Sequence, residues 1–283
     1  MKKSFSSSGI AFMLFAAAFL ALAIRTSAEP LPTKRPNVEI LKVSHRGASR
    51  FAPENTIPAI EKALDFGFDY IEIDVRYAKD GVPVLMHDEN VKRTTDGNGL
   101  ISDMTLEEIK KLDASAATEW RGKFKDVRVP TLEEALRTIQ GRASVYIDQK
   151  DPPRPILLSL LKQYGFYPDR CVIVGGNPNA LAFLKLDPSA QILLSIRNVE
   201  DIPEILKLYP HPKAFNTTSG ILSRELVEKA HSLGIMIFMN TLGFEDMPPI
   251  MKKVISAGVD AIQTDHPDDL LKVIAKIKKE REK

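Results

Sequence analysis

Three short stretches carry groups that could work on a phosphate diester. They are Ser44-His45-Arg46-Gly47, Glu72-Ile73-Asp74 and Met86-His87-Asp88. Pro53-Glu54-Asn55-Thr56 and the turn Lys79-Asp80-Gly81 lie between them. Histidines can move protons, an arginine can grip two phosphate oxygens, and paired carboxylates can hold a divalent cation. Together these are the parts needed for metal-assisted attack on a phosphodiester.

Each reading has a plainer alternative. Glu72 and Asp74 are two apart, so on a strand they share one face, which could simply be a solvated one. The other positions, Tyr70, Ile71, Ile73 and Val75, are apolar. Buried carboxylates are costly unless they hold a cation or a basic partner, which favours metal ligation. His45 and His87 could be structural, but both end apolar runs and precede a charged residue, Arg46 or Asp88. His211 lies between two prolines, His231 falls on a predicted helix face, and His266 suits the start of a helix.

The elements that must position these groups alternate along the chain. Strands are predicted at 39–45, 69–75, 143–148, 171–175, 191–196, 213–217, 235–240 and 260–264. Helices are predicted at 56–66, 131–140, 153–164, 178–186, 200–208, 223–233, 246–257 and 267–281. Gly67, Gly234 and Gly258 each follow a helix and precede a strand. Thr105-x-x-Glu108 and Thr131-x-x-Glu134 read as capping boxes. This alternation predicts an α/β fold, a (β/α)8 TIM barrel, in which His45, Arg46, Asp74, Asp148 and Lys150 converge at strand ends. A doubly wound open sheet is the alternative, weakened because no glycine-rich phosphate loop follows the first strand.

One segment, 82–130, interrupts the alternation as an insertion after the second strand. It begins with Val82-Pro83-Val84-Leu85-Met86-His87, so close to the second strand that an antiparallel hairpin is expected. A turn centred on Asp80-Gly81 pairs residues whose numbers sum to 161 and sets Asp74 opposite His87. The remainder, 89–130, reads as loop-rich with a short helix at 105–112.

The chain has 283 residues, 44% hydrophobic and 27% charged, enough to bury a full core. It has no basic stripe, so no nucleic-acid partner is expected. Lys2-Lys3, the apolar run Ile10–Ile24 and Thr26-Ser27-Ala28 read as a secretory signal peptide over 1–28, with a membrane anchor as the alternative. Residues 29–37 form a Pro-rich linker, and 38–283 the barrel. Cleavage removes three basic residues and no acidic one, taking the formal net charge from +2 to −1. The protein is therefore expected to be exported, periplasmic or extracellular, without a stable membrane anchor. The lone cysteine, Cys171, sits in an apolar run and reads as a small buried hydrophobe. Oligomeric state is not encoded in any of these patterns.

His45-Arg46-Gly47, Pro53-Glu54-Asn55-Thr56, Glu72-x-Asp74, Lys79-Asp80-Gly81 and His87-Asp88 resemble the glycerophosphodiester phosphodiesterase family. So do Thr94-Thr95-x-Gly97-x-Gly99, Pro130-Thr131-Leu132-Glu133-Glu134 and Gly258-Val259-Asp260-Ala261-Ile262-x-Thr264-Asp265-x-Pro267. The resemblance spans roughly residues 40–270. It implies His45 and His87 as the acid/base pair, Arg46 and Lys150 as phosphate-binding groups, and Glu72, Asp74 and Asp148 as ligands of Mg²⁺ or Ca²⁺. Asp148 stands where the family often has Glu. Two further departures are Gly175-Gly176, in place of Ser-Phe, and Asn240, near a position where the family often has Trp. The only tryptophan, Trp120, falls in the insertion. The resemblance implies an exported, metal-dependent phosphodiesterase that converts a small glycerophosphodiester to glycerol 3-phosphate and an alcohol. The alternatives are a phospholipase or lysophospholipase relative acting on intact or lyso lipids, and a non-catalytic phosphodiester-binding protein.

Overall fold

The computed structural model describes residues 39–116, 118–174, 177–190 and 192–282. The expected leader (1–28), the expected linker (29–37) and Gly175-Gly176 lie outside the described residues. Among the described residues nine strands form one sheet: β1 Leu41–Ser44, β2 Tyr70–Tyr77, β3 Pro83–Leu85, β4 Ser144–Gln149, β5 Cys171–Val174, β6 Ile192–Ser195, β7 Ala214–Thr217, β8 Met236–Thr241 and β9 Ala261–Thr264. All but β3 run parallel, and β1 pairs with both β2 and β9, which closes an eight-stranded barrel. The barrel helices are α1 Ile57–Asp65, α3 Leu132–Ile139, α4 Pro155–Gln163, α5 Asn177–Leu186, α6 Ile202–Leu208, α7 Arg224–Ser232, α8 Pro248–Ala257 and α9 Pro267–Arg281, with α2 Leu106–Ile109 in the insertion.

Local chemistry explains where these elements begin and end. Thr105 and Thr131 accept from the backbone of Glu108 and Glu134, whose carboxylates bond back, completing both capping boxes. Proline opens α1, α4, α6, α8 and α9 within the first two positions, where a missing N–H costs nothing. Gly258 closes α8 at φ 95, a left-handed conformation that turns the chain toward β9.

Strand alternation divides the apolar residues into two layers. Ile71, Ile73, Val145, Ile147, Ile173 and Ile237 face outward into the core shared with the helices. Val43, Tyr70, Tyr146, Val172, Leu193, Ala214, Phe238 and Ala261, one per barrel strand, face inward. Phe238 stacks on Tyr146 with centroids 6.2 Å apart and meets Tyr70 at 5.9 Å, so the lower barrel is filled with rings. The insertion has its own small core, in which Ala78, Val84 and Met86 pack with Val91, Ile101 and Ile109.

The hairpin register differs from the sequence expectation by one residue. Val75 pairs with Leu85, Arg76 with Val84 and Tyr77 with Pro83, so partner numbers sum to 160. Asp74 lies opposite Met86, whose N–H bonds to the Asp74 carbonyl at 3.1 Å, and not opposite His87. The cause is loop length. Ala78 N–H bonds to Val82 O, leaving a three-residue loop with Gly81 at φ 84, instead of a two-residue turn. His87 lies beyond β3, where the Arg76 Nε bond to its carbonyl, 3.0 Å, holds the chain.

Candidate active site

The first strand ends in a tight left-handed turn, with φ 53 at Arg46 and 76 at Gly47. Nothing larger than glycine fits at 47, because a Cβ there would lie 2.7 Å from the Ala59 carbonyl carbon. The turn aims the Arg46 N–H at Glu72 Oε2, 2.6 Å away. Asn55, also left-handed at φ 55, bonds Asp74 twice: its Nδ2 donates to Oδ2 at 2.7 Å, and its Oδ1 accepts from the Asp74 N–H at 3.0 Å. Such conformations in non-glycine residues are costly and concentrate at working sites.

Glu72 and Asp74 share the inward face of β2, 1% and 0% exposed, and Asp148 is the register partner of Asp74 on β4. The three carboxylates each offer an oxygen within 4.8 Å of the others. Their charges diverge. Burial, reinforced by Asp74 and Asp148, pushes Glu72 well above the ordinary carboxylate range. Burial alone would raise Asp74 too, but Lys150, Arg46 and the Asn55 amide outweigh it and hold Asp74 below its ordinary value. Lys150 Nζ lies 2.6 Å from Asp148 Oδ2 and 2.9 Å from Asp74 Oδ1. Burial would lower that ammonium, yet the two carboxylates raise it. The Lys150 ammonium is thus the partner of the buried Asp74 Oδ1, while Oδ2 takes the Asn55 amide.

Each candidate catalytic histidine is braced through Nδ1 by a carboxylate. His45 Nδ1 meets Asp265 Oδ1 at 2.7 Å, and His87 Nδ1 meets Asp88 Oδ1 at 2.6 Å. This leaves Nε2 of each ring as the nitrogen for proton transfer. Burial opposes ionisation of Asp265, but the His45 hydrogen bond and nearby positive charge outweigh it and keep its carboxyl below the usual range. Asp88 is pulled down to about 2, chiefly by its hydrogen bond from Arg93.

Ion pairs connect the groups across the barrel mouth. Arg46 reaches Glu54 through Nη1 at 3.0 Å and Asp74 through Nε at 3.2 Å. Glu54 also takes both terminal nitrogens of Arg93, at 2.8 and 2.7 Å. Arg93 Nε then bonds Asp88 Oδ2 at 2.6 Å. The insertion is thereby tied to the loop after β1, and His87 to the side of the site that holds Arg46.

A model of the glycerophosphoryl diester phosphodiesterase family matches residues 45–160. A glycerophosphodiester phosphodiesterase of Caldanaerobacter subterraneus subsp. tengcongensis is 35% identical over 258 residues, covering 84% of this chain and 99% of that one. The chain belongs to the glycerophosphodiester phosphodiesterase family. A crystal structure of a glycerophosphodiester phosphodiesterase from Agrobacterium tumefaciens is similar with a TM-score of 0.75 and 30% identity, covering 82% of this chain and 99% of that one. An Oleispira antarctica phosphodiesterase, solved with the product sn-glycerol-3-phosphate, gives a TM-score of 0.72 at 26% identity, covering 83% of this chain and 96% of that one.

In this phosphodiesterase the sequence-derived residues Glu72, Asp74, Asp148, Arg46 and Lys150 meet in one cluster. His45 follows the end of β1, next to Arg46, and His87 joins through Asp88, Arg93 and Glu54. His231 lies apart, bonded to Asp260, which precedes β9. His266 is the residue preceding α9, as its context suggested. Sequence reasoning gave no role to Glu54, Asn55, Asp88, Arg93 or Asp265. Four of these lie in the quoted motifs, which was an available signal; Arg93 had none.

Proposed function

We propose that the chain is an exported, metal-dependent enzyme that hydrolyses glycerophosphodiesters to glycerol 3-phosphate and an alcohol. One observation carries the reading: three inward carboxylates with oxygens within 4.8 Å of one another, beside a guanidinium and a carboxylate-braced imidazole. The donor set fits a hard cation. It contains only carboxylate oxygens, and burial together with the neighbouring Asp74 and Asp148 charges penalises ionisation of Glu72, a cost that a bound cation would offset. Such a set suits Mg²⁺ or Ca²⁺ better than zinc. Glu72, Asp74 and Asp148 would hold the ion, which when bound neutralises charge developing on the phosphate oxygens.

The chain's own groups supply the rest. Arg46, its Nε and Nη1 already beside carboxylates, presents a planar guanidinium to the phosphate, and Lys150 adds positive charge. The glycerol 2-hydroxyl is the nucleophile. Its oxygen bonds to phosphorus, its proton passes to one histidine, the bond to the leaving alcohol breaks, and the other histidine protonates that alcohol. Water then opens the cyclic phosphate with the proton roles reversed.

Release of glycerol 3-phosphate from glycerophosphocholine, followed with and without a chelator, tests the function. We expect chelation to abolish turnover and Mg²⁺ or Ca²⁺ to restore it. Undiminished turnover in protein shown metal-free by elemental analysis would refute metal dependence. For export, the expected mature N-terminus is Glu29 in the extracytoplasmic fraction. An intact leader on cytosolic protein would refute it.

A further inference from the structure

Across the barrel mouth from the carboxylates, three successive strands point amides inward. Asn216 on β7 continues the inward row of Ala214, Asn240 on β8 that of Phe238, and Gln263 on β9 that of Ala261. Asn240 and Gln263 are register partners on adjacent strands. Asn216 pairs with Phe238, one inward position below Asn240. Asn216 Oδ1, Asn240 Oδ1 and Gln263 Oε1 are all buried and accept no hydrogen bond within the protein. Gln263 is only 5% exposed.

Three unsatisfied amide oxygens in one inward patch are unusual, because buried polar groups are nearly always paired. Packing does not explain them. The rings of Phe238, Tyr146 and Tyr70 already fill the barrel beneath, and a leucine at any of these positions would extend that apolar floor. The patch is also continuous with the site. Gln263 is two residues before Asp265, which braces His45.

The chemistry of the patch selects its ligand. Turned either way, each amide offers an acceptor and a donor and carries no charge. It has no cation for phosphate, whose charge is matched on the opposite side by Arg46 and Lys150. It has no carboxylate for an ammonium group. Neutral hydroxyls, which both give and take hydrogen bonds, are the groups it satisfies. We propose that Asn216, Asn240 and Gln263 form a polyol-binding wall that holds hydroxyls of the alcohol esterified to the phosphate. The inference deepens the phosphodiesterase reading and rests on it for the position of the phosphate. Asn240 makes it specific to this chain, since the family resemblance led to an expectation of tryptophan in that region.

Two alcohols flank the phosphorus, and the test separates them. Asn240→Leu and Gln263→Leu, in the full folded chain with Mg²⁺ present, are titrated calorimetrically with glycerol 3-phosphate and with inorganic phosphate. In parallel, kcat/KM is measured for glycerophosphoglycerol and glycerophosphocholine. Loss of one neutral hydrogen bond corresponds to roughly tenfold in affinity. If the wall holds the common glycerol, each variant binds glycerol 3-phosphate about tenfold more weakly while phosphate affinity is unchanged. If it holds the leaving alcohol, glycerol 3-phosphate affinity is unchanged and the preference for glycerophosphoglycerol over glycerophosphocholine falls about tenfold. Unchanged behaviour in both assays overturns the proposal. Equal loss of phosphate and glycerol 3-phosphate affinity does so too, because it signals general damage. If a leucine variant does not fold, Asn240→Ser, whose shorter arm withdraws the amide, replaces it and is compared with wild type in the same two assays; wild-type behaviour in both overturns the proposal. Failure of the parent function looks different: the wild type would turn over no glycerophosphodiester, while the calorimetric comparison would still report on the amides.

Discussion

Gly47→Ala should damage stability and activity together, and the structure sets the size of the effect. At φ 76 an alanine costs about 1–2 kcal/mol for its left-handed backbone. Its Cβ would also lie 2.7, 2.8 and 2.9 Å from the carbonyl carbon, carbonyl oxygen and Cβ of Ala59, all in helix α1. Relieving such overpacking typically costs a further ~1–3 kcal/mol. The combined loss of about 2–5 kcal/mol corresponds to a fall in Tm of roughly 5–15 °C for a domain of this size. Gly67→Ala is the internal control, since Gly67 has a similar φ of 69 but nothing within 4 Å of an added Cβ. It should lose only the backbone contribution, about 1–2 kcal/mol. Movement of the turn also displaces the Arg46 N–H from Glu72, so kcat should fall by about 10²-fold, as expected for ångström-scale misplacement. Calorimetric melting of both variants and initial rates on glycerophosphocholine decide the matter. If the two variants melt within a degree of each other, the close approach to Ala59 is not what requires glycine.

Other expectations follow from single contacts. Asp265→Asn removes the charge that braces His45 Nδ1 and should lower kcat by about 10²-fold or more with KM little changed, whereas His231→Ala should leave kcat within a few-fold; equal effects would separate Asp265 from catalysis. The folded-state pKa of Asp88 is depressed to about 2, so its contribution to stability is present above its unfolded value near 3.8 and lost as pH falls through about 2. Urea midpoints should therefore differ between wild type and Asp88→Asn at pH 6 and converge toward pH 2.5, and a constant offset would contradict the assignment. Burial pushes the Cys171 thiol up to about 12, so iodoacetamide should label it only as the protein unfolds; rapid labelling of the native protein would show that the thiol is accessible.

The barrel was legible because its signals are local. Capping boxes at Thr105 and Thr131, prolines opening helices and the apolar strand runs each act within a few residues. The carboxylates were legible for the same reason, since two-residue spacing on β2 and topology alone converge them with Asp148. What was missed depends on distance or on one backbone angle. His45 and Asp265 are 220 residues apart, and Arg93 reaches Glu54 across 39. The hairpin register turned on whether Lys79-Asp80-Gly81 makes a two- or a three-residue loop, a difference decided by Gly81 at φ 84. The inward amides were visible only as an oddity at Asn240, because nothing in the sequence says that three strand rows meet there.

The ion pairs at the barrel mouth have an evolutionary consequence. Asp88, Arg93, Glu54, Arg46, Asp74, Lys150 and Asp148 form a run in which the sign of the charge alternates at each step. Neutralising any interior member strands two neighbours of the same sign, as removing one ion does in a row of a salt crystal. Substitutions along the run are therefore epistatic: a second change costs less, or more, according to which neighbour went first. Paired replacements along the run should therefore be tolerated better than single ones, and rate losses measured one residue at a time should add up to more than the site contains.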